Sequence, residues 1–442
     1  MGKSIRLKKG YDIKLLGEAS KEISEIPVAD IFAVKPTDYL SITPKLVVKE
    51  GDEVLAGSSL FFDKKRPEIN FPSPVSGEVV EIVRGAKRKV LEIRILADKT
   101  SKYAKTPIPT KLEAQNIKDA LLKGNLWSLL RQRPFSIIPS IEEQPKAIFV
   151  STFDTAPLAP DLSFVIEQNK IAFDKGLAVL SELSSGNLEV GTEAGSSLSL
   201  SAGTQNEFSG PHPSGNVGVQ IHHVSPIKAG ETIWYLDAQD VIILGEFFNS
   251  GEYHAERLVP ITGSEVSTPS YIKAKVGQSL TKLFSEQVSE SNVRFIQGNV
   301  LSGAISHKED FLSFYTSQLT VIPEGNKAEF LGWLLPSAKK LSLSRTYFSW
   351  LMPNKKYDVD TNTHGEERAF VMSGQYEKVL PMNIMPVQLL KAIIAGDIEK
   401  MEALGIYEIA EEDLALCEFV CTSKIEVQKI VREGLDLMRT EG

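Results

Sequence analysis

The hydrophobic pattern of this chain changes character three times, and no single layered domain accommodates all four patterns. From about residue 26 to 95, short β-rich runs alternate with Gly and Pro turns. Residues 105–256 mix helical and strand periods, and residues 257–336 follow the order strand, strand, helix, strand. The remainder carries apolar residues at three- and four-residue spacing, the period of helices. A chain of 442 residues is long enough for several domains, each with its own core. The expectation is an α/β multidomain protein with units at 1–104, 105–256, 257–336 and 337–442.

Composition excludes several function classes. The net charge of -8 offers no basic face for nucleic acid, and the tract RGAKRK at 84–89 is too short to change that. Cys417 and Cys421 are the only cysteines. Neither a disulfide framework nor a Cys-based zinc site can be built from two thiols, so a reducing cytoplasm and buried, inert thiols are expected. No apolar run approaches the roughly 18 residues of a membrane span. The start MGKSIRLKKG has no apolar signal core, and Arg6 stands where a myristoylation motif needs Ser or Thr. Membrane attachment is therefore expected only through a partner.

The first block contains VVKEGDEVLAGSSLFF and FPSPVSGEVVEIVRGAKRKVLEIRI, two halves on one plan. In each, a Val-rich strand meets a turn, at Gly51-Asp52 and at Pro74–Gly77, where glycine supplies the backbone conformation that other residues resist. This resembles the lipoyl/biotinyl barrel-sandwich hybrid, whose modified lysine sits at a hairpin tip. Lys64 and Lys65 occupy that tip, but their flanks depart from the carrier motifs, which favours a docking module with a solvated basic hairpin.

The second block reads as Rossmann-like α/β: a helix QNIKDALLKGNLWSLLRQ, a strand KAIFVS and a long helix LSFVIEQNKIAFDKGLAVLSEL. It has neither G-x-G-x-x-G nor G-x-x-x-x-G-K-[ST], so no nucleotide site is signalled. The Gly/Ser-rich stretch 184–218 reads as a loop. The third block resembles a β-grasp (SLBB-like) module with a Gly-rich return at residues 298–303.

Chemical motifs are sparse. His212, His222, His223 and His254 show no metal-ligand spacing, and there is no nucleophile elbow or H-E-x-x-H. No catalytic or metal-binding residue is assigned. One segment concentrates useful groups: Trp127, Arg131, Arg133 and Phe135 lie close together before and after Pro134. A flat quinone could stack on an aromatic ring and accept a hydrogen bond from an arginine. The competing reading is a helix C-terminus whose arginines offset the helix dipole. Tyr39 joins the quinone candidates.

The last seventy residues keep the spacing of a two-cluster ferredoxin without its ligands. The motif C-x-x-C-x-x-C-x-x-x-C-P falls on Phe370, Ser373, Tyr376, Leu380 and Pro381. A second copy falls on Glu411, Leu414, Cys417 and Cys421, with Thr422 for the proline. Two thiolates cannot hold a four-iron cluster. A C-terminal helical domain derived from a ferredoxin fold is expected.

The order of blocks resembles the C subunit of the Rnf electron-transfer complex, and the middle blocks resemble the flavin-binding subunit of complex I. Where those relatives carry a glycine-rich flavin and NADH loop, this chain has GNLWSLLRQRPFS, and STFDTAPLAPD keeps only Asp154 of a further acidic and thiol-bearing stretch. IRLKKGYDIKLLG, SPVSGEVVEIVRGAKR, DTAPLAPD, SGPHPSGNVG and PMNIMPVQLLKAIIAGDIEKMEALGIYE are similar to the A subunits of bacterial sodium-translocating NADH:quinone reductases, the Nqr complexes. That resemblance implies a peripheral subunit on the cytoplasmic face of the inner membrane, in contact with the other Nqr subunits and chiefly with the membrane-embedded B subunit. It implies that this chain binds no cofactor of its own. Flavins, iron, NADH oxidation and sodium export would belong to partner subunits, with ubiquinone or menaquinone as the complex's substrate. The alternatives are a flavin/iron-sulfur electron-transfer subunit of an Rnf-like complex and a lipoylated or biotinylated carrier.

Overall fold

Period-2 alternation in the first block closes into two small antiparallel sheets that share one core. The computed structural model describes residues 2–26, 29–288, 292–326 and 329–442. A four-stranded sheet orders Ile31–Val34, Val90–Ala97, Gly77–Arg84 and Glu53–Val54, and a three-stranded sheet orders Pro44–Leu46, Ser59–Asp63 and Arg66–Pro72. Phe61, Ile69, Phe71, Val79, Ile93 and Ile95 are fully buried, with Ile69 and Phe71, and Ile93 and Ile95, at the two-residue spacing of one strand face. Lys64 and Lys65 form the exposed turn between Ser59–Asp63 and Arg66–Pro72. The buried Asp63 accepts from the Thr43 N–H, the Lys65 N–H and Arg66 Nε, while Arg66 reaches the Ile138 carbonyl at 2.7 Å. The hairpin is thus tied down onto the next unit.

The first 24 residues do not belong to this hybrid. Ser4–Arg6 runs parallel to Thr204–Ser209, and Ser20–Ser24 runs parallel to Ser270–Lys275. Leu7, Ile13 and Leu15 between them are buried in the core of the C-terminal helices. Strands of three to five residues carry too few alternations to reveal which sheet they extend.

The second unit is built on a six-stranded sheet ordered Ser4–Arg6, Thr204–Ser209, Leu188–Glu193, Ile148–Ser151, Ile233–Asp237, Arg131–Arg133. All neighbours are parallel except the last pair. The helix expected over 115–132 ends at Lys123, followed by Gly124 and by Asn125 at φ 59°. Trp127–Leu129 makes one 3₁₀ turn and Arg131–Arg133 is an edge strand, so its arginines do not serve a helix terminus. The long helix over 162–183 is divided at Asn169, whose side chain donates to the Val165 carbonyl instead of leaving the turn to the backbone. The Gly/Ser-rich stretch contains two strands of the sheet, Leu188–Glu193 and Thr204–Ser209, rather than loop alone. Lys170–Leu183 and Ala238–Ser250 touch backbone to backbone: a Cβ on Gly245 would lie 1.7 Å from the Ala172 carbonyl oxygen.

The third unit orders Ala304–Ser306, Val293–Gln297, Leu319–Pro323, Glu256–Thr262, Ser270–Lys275 and Ser20–Ser24, with Thr281–Gln287 as its helix. Val259, Ile261, Ile272, Phe284, Leu319 and Val321 form its core.

Beyond residue 329 the chain stays irregular, with one 3₁₀ turn at Phe348–Leu351, until Tyr376–Val379 begins the helices. Pro386–Ile394, Ile398–Ala403, Ala415–Phe419 and Val427–Glu441 then enclose a core holding Tyr376, Leu380, Leu414, Cys417 and Cys421. Tyr376 Oη donates to Cys421 Sγ at 2.9 Å. Burial pushes the Cys417 thiol far up, so it stays protonated.

Candidate functional site at the sheet switch point

The parallel sheet reverses its winding between two strands. From Ile148–Ser151 the chain crosses through helices to Leu188–Glu193 on one side, and later through Val217–Val224 to Ile233–Asp237 on the other. In such sheets ligands bind in the crevice beyond the carboxyl ends of the strands at that reversal. Ser151 and Asp237 pair in register at those ends. Beyond them lies a cavity of about 120 Å³ lined by Phe153, Asp154, His212, Asn216 and Gln239. A second cavity of about 240 Å³ adjoins it, lined by Asp38, Tyr315, Glu411 and Gln428. Arg131, Tyr235, Ser302 and Glu412 border both.

Arg131 is the hinge between the two spaces. Its Nη2 donates to Asp237 Oδ2 at 2.9 Å, and its guanidinium carbon lies 4.6 Å from the ring centres of both Tyr235 and Tyr315. The aromatic faces fix the plane of the guanidinium. Tyr315 is itself anchored by its hydroxyl to the Ser128 carbonyl at 2.7 Å. Arg131 Nε has no protein partner. Burial opposes the arginine's charge, but Tyr235, Asp237 and Tyr315 outweigh it and hold the group protonated.

Carboxyl groups surround it. Enclosure by its neighbours pushes Asp154 up against the Ala156 N–H donating at 2.8 Å, although the residue itself is exposed to solvent, which weakens the effect. Burial also raises Glu412 against the pull of Arg133, although 41% of its side chain remains open to solvent, which weakens the effect. His212 Nδ1 pairs with Thr155 Oγ1 at 3.1 Å, and burial lowers its pKa to about 4, so it is neutral. The arrangement supplies a fixed cation, two aromatic rings and several carboxyl groups, which suits hydrogen bonding to a small carbonyl-bearing ligand.

The five residues singled out from the sequence do not form one surface. Only Arg131 lines the cavities. Arg133, 1% exposed, donates to Asp413 at 3.0 Å and Glu412 at 2.6 Å. Trp127 is fully buried, with Nε1 on the Pro139 carbonyl and its ring edge-on to Trp234. Tyr39 packs into Phe61, Phe71, Phe314 and Tyr315. Phe135, at φ 80°, gives its carbonyl to Arg432 and its ring to Tyr407. Tyr235, Asp237, Tyr315 and Glu412 escape the sequence reading. Asp237 alone carries a local signal, a carboxylate ending the apolar run IWYL at a helix start.

The remaining candidates are engaged elsewhere. His222 bridges Glu408 and the Asn383 N–H, His223 meets the Pro381 carbonyl, and His254 lies against Tyr103. Among the described residues no group of three or more His, Cys, Asp or Glu is placed to hold a metal, and no helix is long and apolar enough to cross a membrane.

Comparison with known proteins sets this geometry in a family. The NqrA N-terminal barrel-sandwich hybrid domain matches residues 5–98, the NqrA second alpha/beta domain residues 112–253, and the domain described as the NQRA C-terminal domain residues 258–308. The A subunit of the Na(+)-translocating NADH-quinone reductase of Rhodopirellula baltica is 38% identical over 448 residues, covering 99% of this chain and 98% of that protein. The proteins of the same name from Serratia proteamaculans and Haemophilus influenzae are 37% and 38% identical, each covering 99% of this chain and 100% of theirs. Among solved structures, an air-oxidized NAD+-reducing [NiFe]-hydrogenase aligns at 12% identity with a TM-score of 0.38, covering 75% of this chain and 63% of that one. Similarity sustained from end to end at this level shows that the chain belongs to the NqrA family, the A subunits of the Na(+)-translocating NADH-quinone reductases.

Proposed function

We propose that this chain is the acceptor-side, cofactor-free peripheral component of a sodium-translocating NADH:quinone reductase on the cytoplasmic face of the membrane. In this reading it docks against the membrane-embedded B subunit, contributing to quinone binding, while partner subunits carry NADH, flavins, iron and sodium. The observation that carries the quinone assignment is Arg131, clamped between Tyr235 and Tyr315 at the boundary of two cavities. A guanidinium held this way can donate to a quinone carbonyl without first being ordered. Trp127 and Arg133 support the site from behind, with Trp127 Nε1 and both Arg133 Nη atoms engaged by protein partners.

The C-terminal helices are read as a ferredoxin fold that has lost its clusters. Support comes from Tyr376, Leu380, Leu414, Cys417 and Cys421, drawn from both copies of the ligand spacing and buried in one core.

In the assembled complex, Arg131→Ala is expected to raise the apparent quinone KM about tenfold, as loss of one charge-assisted hydrogen bond would. NADH-to-flavin reduction should stay unchanged. Equal losses in both half-reactions would mean failed assembly, and an unchanged KM would remove Arg131 from the quinone site.

A further inference from the structure

Residues 330–356 form a surface unlike the rest of the chain. Phe330, Trp333, Leu334, Leu335, Trp350 and Leu351 are between 46% and 86% exposed. The same stretch contains Lys339, Lys340, Arg345, Lys355 and Lys356 and no acidic residue, within a protein whose net charge is -8. Lys340 and Lys356 are paired with Glu329 and Glu18, whereas Lys339, Arg345 and Lys355 have no carboxylate partner among the described residues.

Local hydrogen bonds hold the segment in this shape. Tyr347 Oη donates to the Gly332 carbonyl at 2.6 Å, the Phe348 N–H to the Ser337 carbonyl at 3.0 Å, and Lys355 Nζ to the Ala338 carbonyl at 2.7 Å. These bonds bring the 330–335 stretch beside the 347–351 stretch. The base is fixed where the buried Tyr357 exchanges backbone hydrogen bonds with Lys14 and Leu16. Arg368 stacks on Trp333 at 5.2 Å at the edge of the patch. Soluble surfaces rarely expose so many large apolar groups side by side.

We propose that this face seats directly in the headgroup layer of an anionic bilayer, giving the chain a membrane contact of its own rather than one made only through partner proteins. Charge complementarity identifies the occupant: with Lys340 and Lys356 offset by Glu329 and Glu18, the unpaired Lys339, Arg345 and Lys355 beside the apolar groups are drawn to a negative surface. Paired tryptophans among lysines and arginines match the interface, where amphipathic rings settle and basic side chains reach phosphate. Irregular backbone cannot enter the hydrocarbon region, which limits the contact to the headgroup level.

The test uses the full chain and vesicles of phosphatidylcholine with or without about one-third phosphatidylglycerol. Trp127 and Trp234 are fully buried, so a blue shift of tryptophan fluorescence on vesicle addition reports Trp333 and Trp350. Co-flotation and a blue shift are expected with anionic vesicles and not with neutral ones. Lys339→Ala with Arg345→Ala should weaken partition about 30-fold, from about a fivefold loss per basic residue. Trp333→Ser with Trp350→Ser should abolish co-flotation while leaving the thermal unfolding midpoint within a few degrees, since both rings are about half exposed. Absence of binding to anionic vesicles, or equal binding by these variants, would overturn the proposal. Cross-links from position 333 exclusively to a polypeptide in the assembled complex would overturn it too, by making the patch a protein-docking face.

Discussion

Asp240 and Arg257 are both fully buried and meet at 2.5 Å, joining the helix Ala238–Ser250 of the α/β unit to the strand Glu256–Thr262 of the β-grasp unit. The pair is incompletely satisfied: Asp240 Oδ2, Arg257 Nε and Arg257 Nη1 have no hydrogen-bond partner. Removing one member of a buried pair costs about 3–5 kcal/mol, because the other charge is left without water or counter-charge. The two single removals should nevertheless differ. Arginine cannot shed its proton, so Asp240→Asn strands a permanent cation and should take the full loss. A carboxylate can take up a proton, and burial already raises Asp240 despite Arg257 beside it. Arg257→Met should therefore cost less near pH 4, about 1–3 kcal/mol, the range for a buried polar group without partners, and about 1.4 kcal/mol more for each further pH unit at which the carboxyl must still take up a proton. The remaining carboxyl then has a folded pKa above its unfolded value, so the variant's stability is greatest below the ordinary carboxylate range. It is lost as pH rises through the raised folded value. The double change Asp240→Leu with Arg257→Met should fall near the wild type or up to about 4 kcal/mol above it. Urea unfolding of the four proteins at pH 4 and pH 8, followed by tryptophan fluorescence, measures all of this. A larger loss at pH 4 for Arg257→Met than for Asp240→Asn would refute the argument from proton exchange.

Two further predictions concern stability. Protonating the buried His212 is unfavourable in the folded state, so its contribution is complete above pH 6.5 and disappears as pH falls towards about 4. The full effect is about 3 kcal/mol, and His212→Gln should flatten that slope in unfolding measured between pH 4 and 7. Leu414 is fully buried among the C-terminal helices, so Leu414→Ala should lower unfolding free energy by about 2–5 kcal/mol in a denaturant titration. A loss near zero would mean the surrounding helices collapse onto the gap.

Legibility in the sequence followed the range of the interactions. The alternating runs of residues 31–97 are local signals, and the antiparallel hybrid they build is visible in the chain. The Arg131 segment was recognisable as an unusual concentration of arginine and aromatic residues, but its strand has three residues, too few to show a period against the helix before it. Tyr315 reaches the Ser128 carbonyl across 187 residues, and Glu412 reaches Arg133 across 279. No spacing rule encodes such meetings, which depend on where the sheet reverses its winding. Asn169 shows a subtler limit: the apolar period runs through the break, and a single side-chain hydrogen bond divides the helix.

The opening residues of the polypeptide thread three bodies in turn: a sheet edge at Ser4–Arg6, the helical core at Leu7, Ile13 and Leu15, and another sheet edge at Ser20–Ser24. Synthesis releases this strap before the two sheet edges and the helical core it joins, all of which are translated after residue 200. It must wait unpaired while the hybrid that follows folds without it, since domains form as units in the order they emerge. Fastening the strap then becomes the closing event of maturation, and trimming the amino terminus would loosen three distant units together while sparing the small sheets nearest the cut.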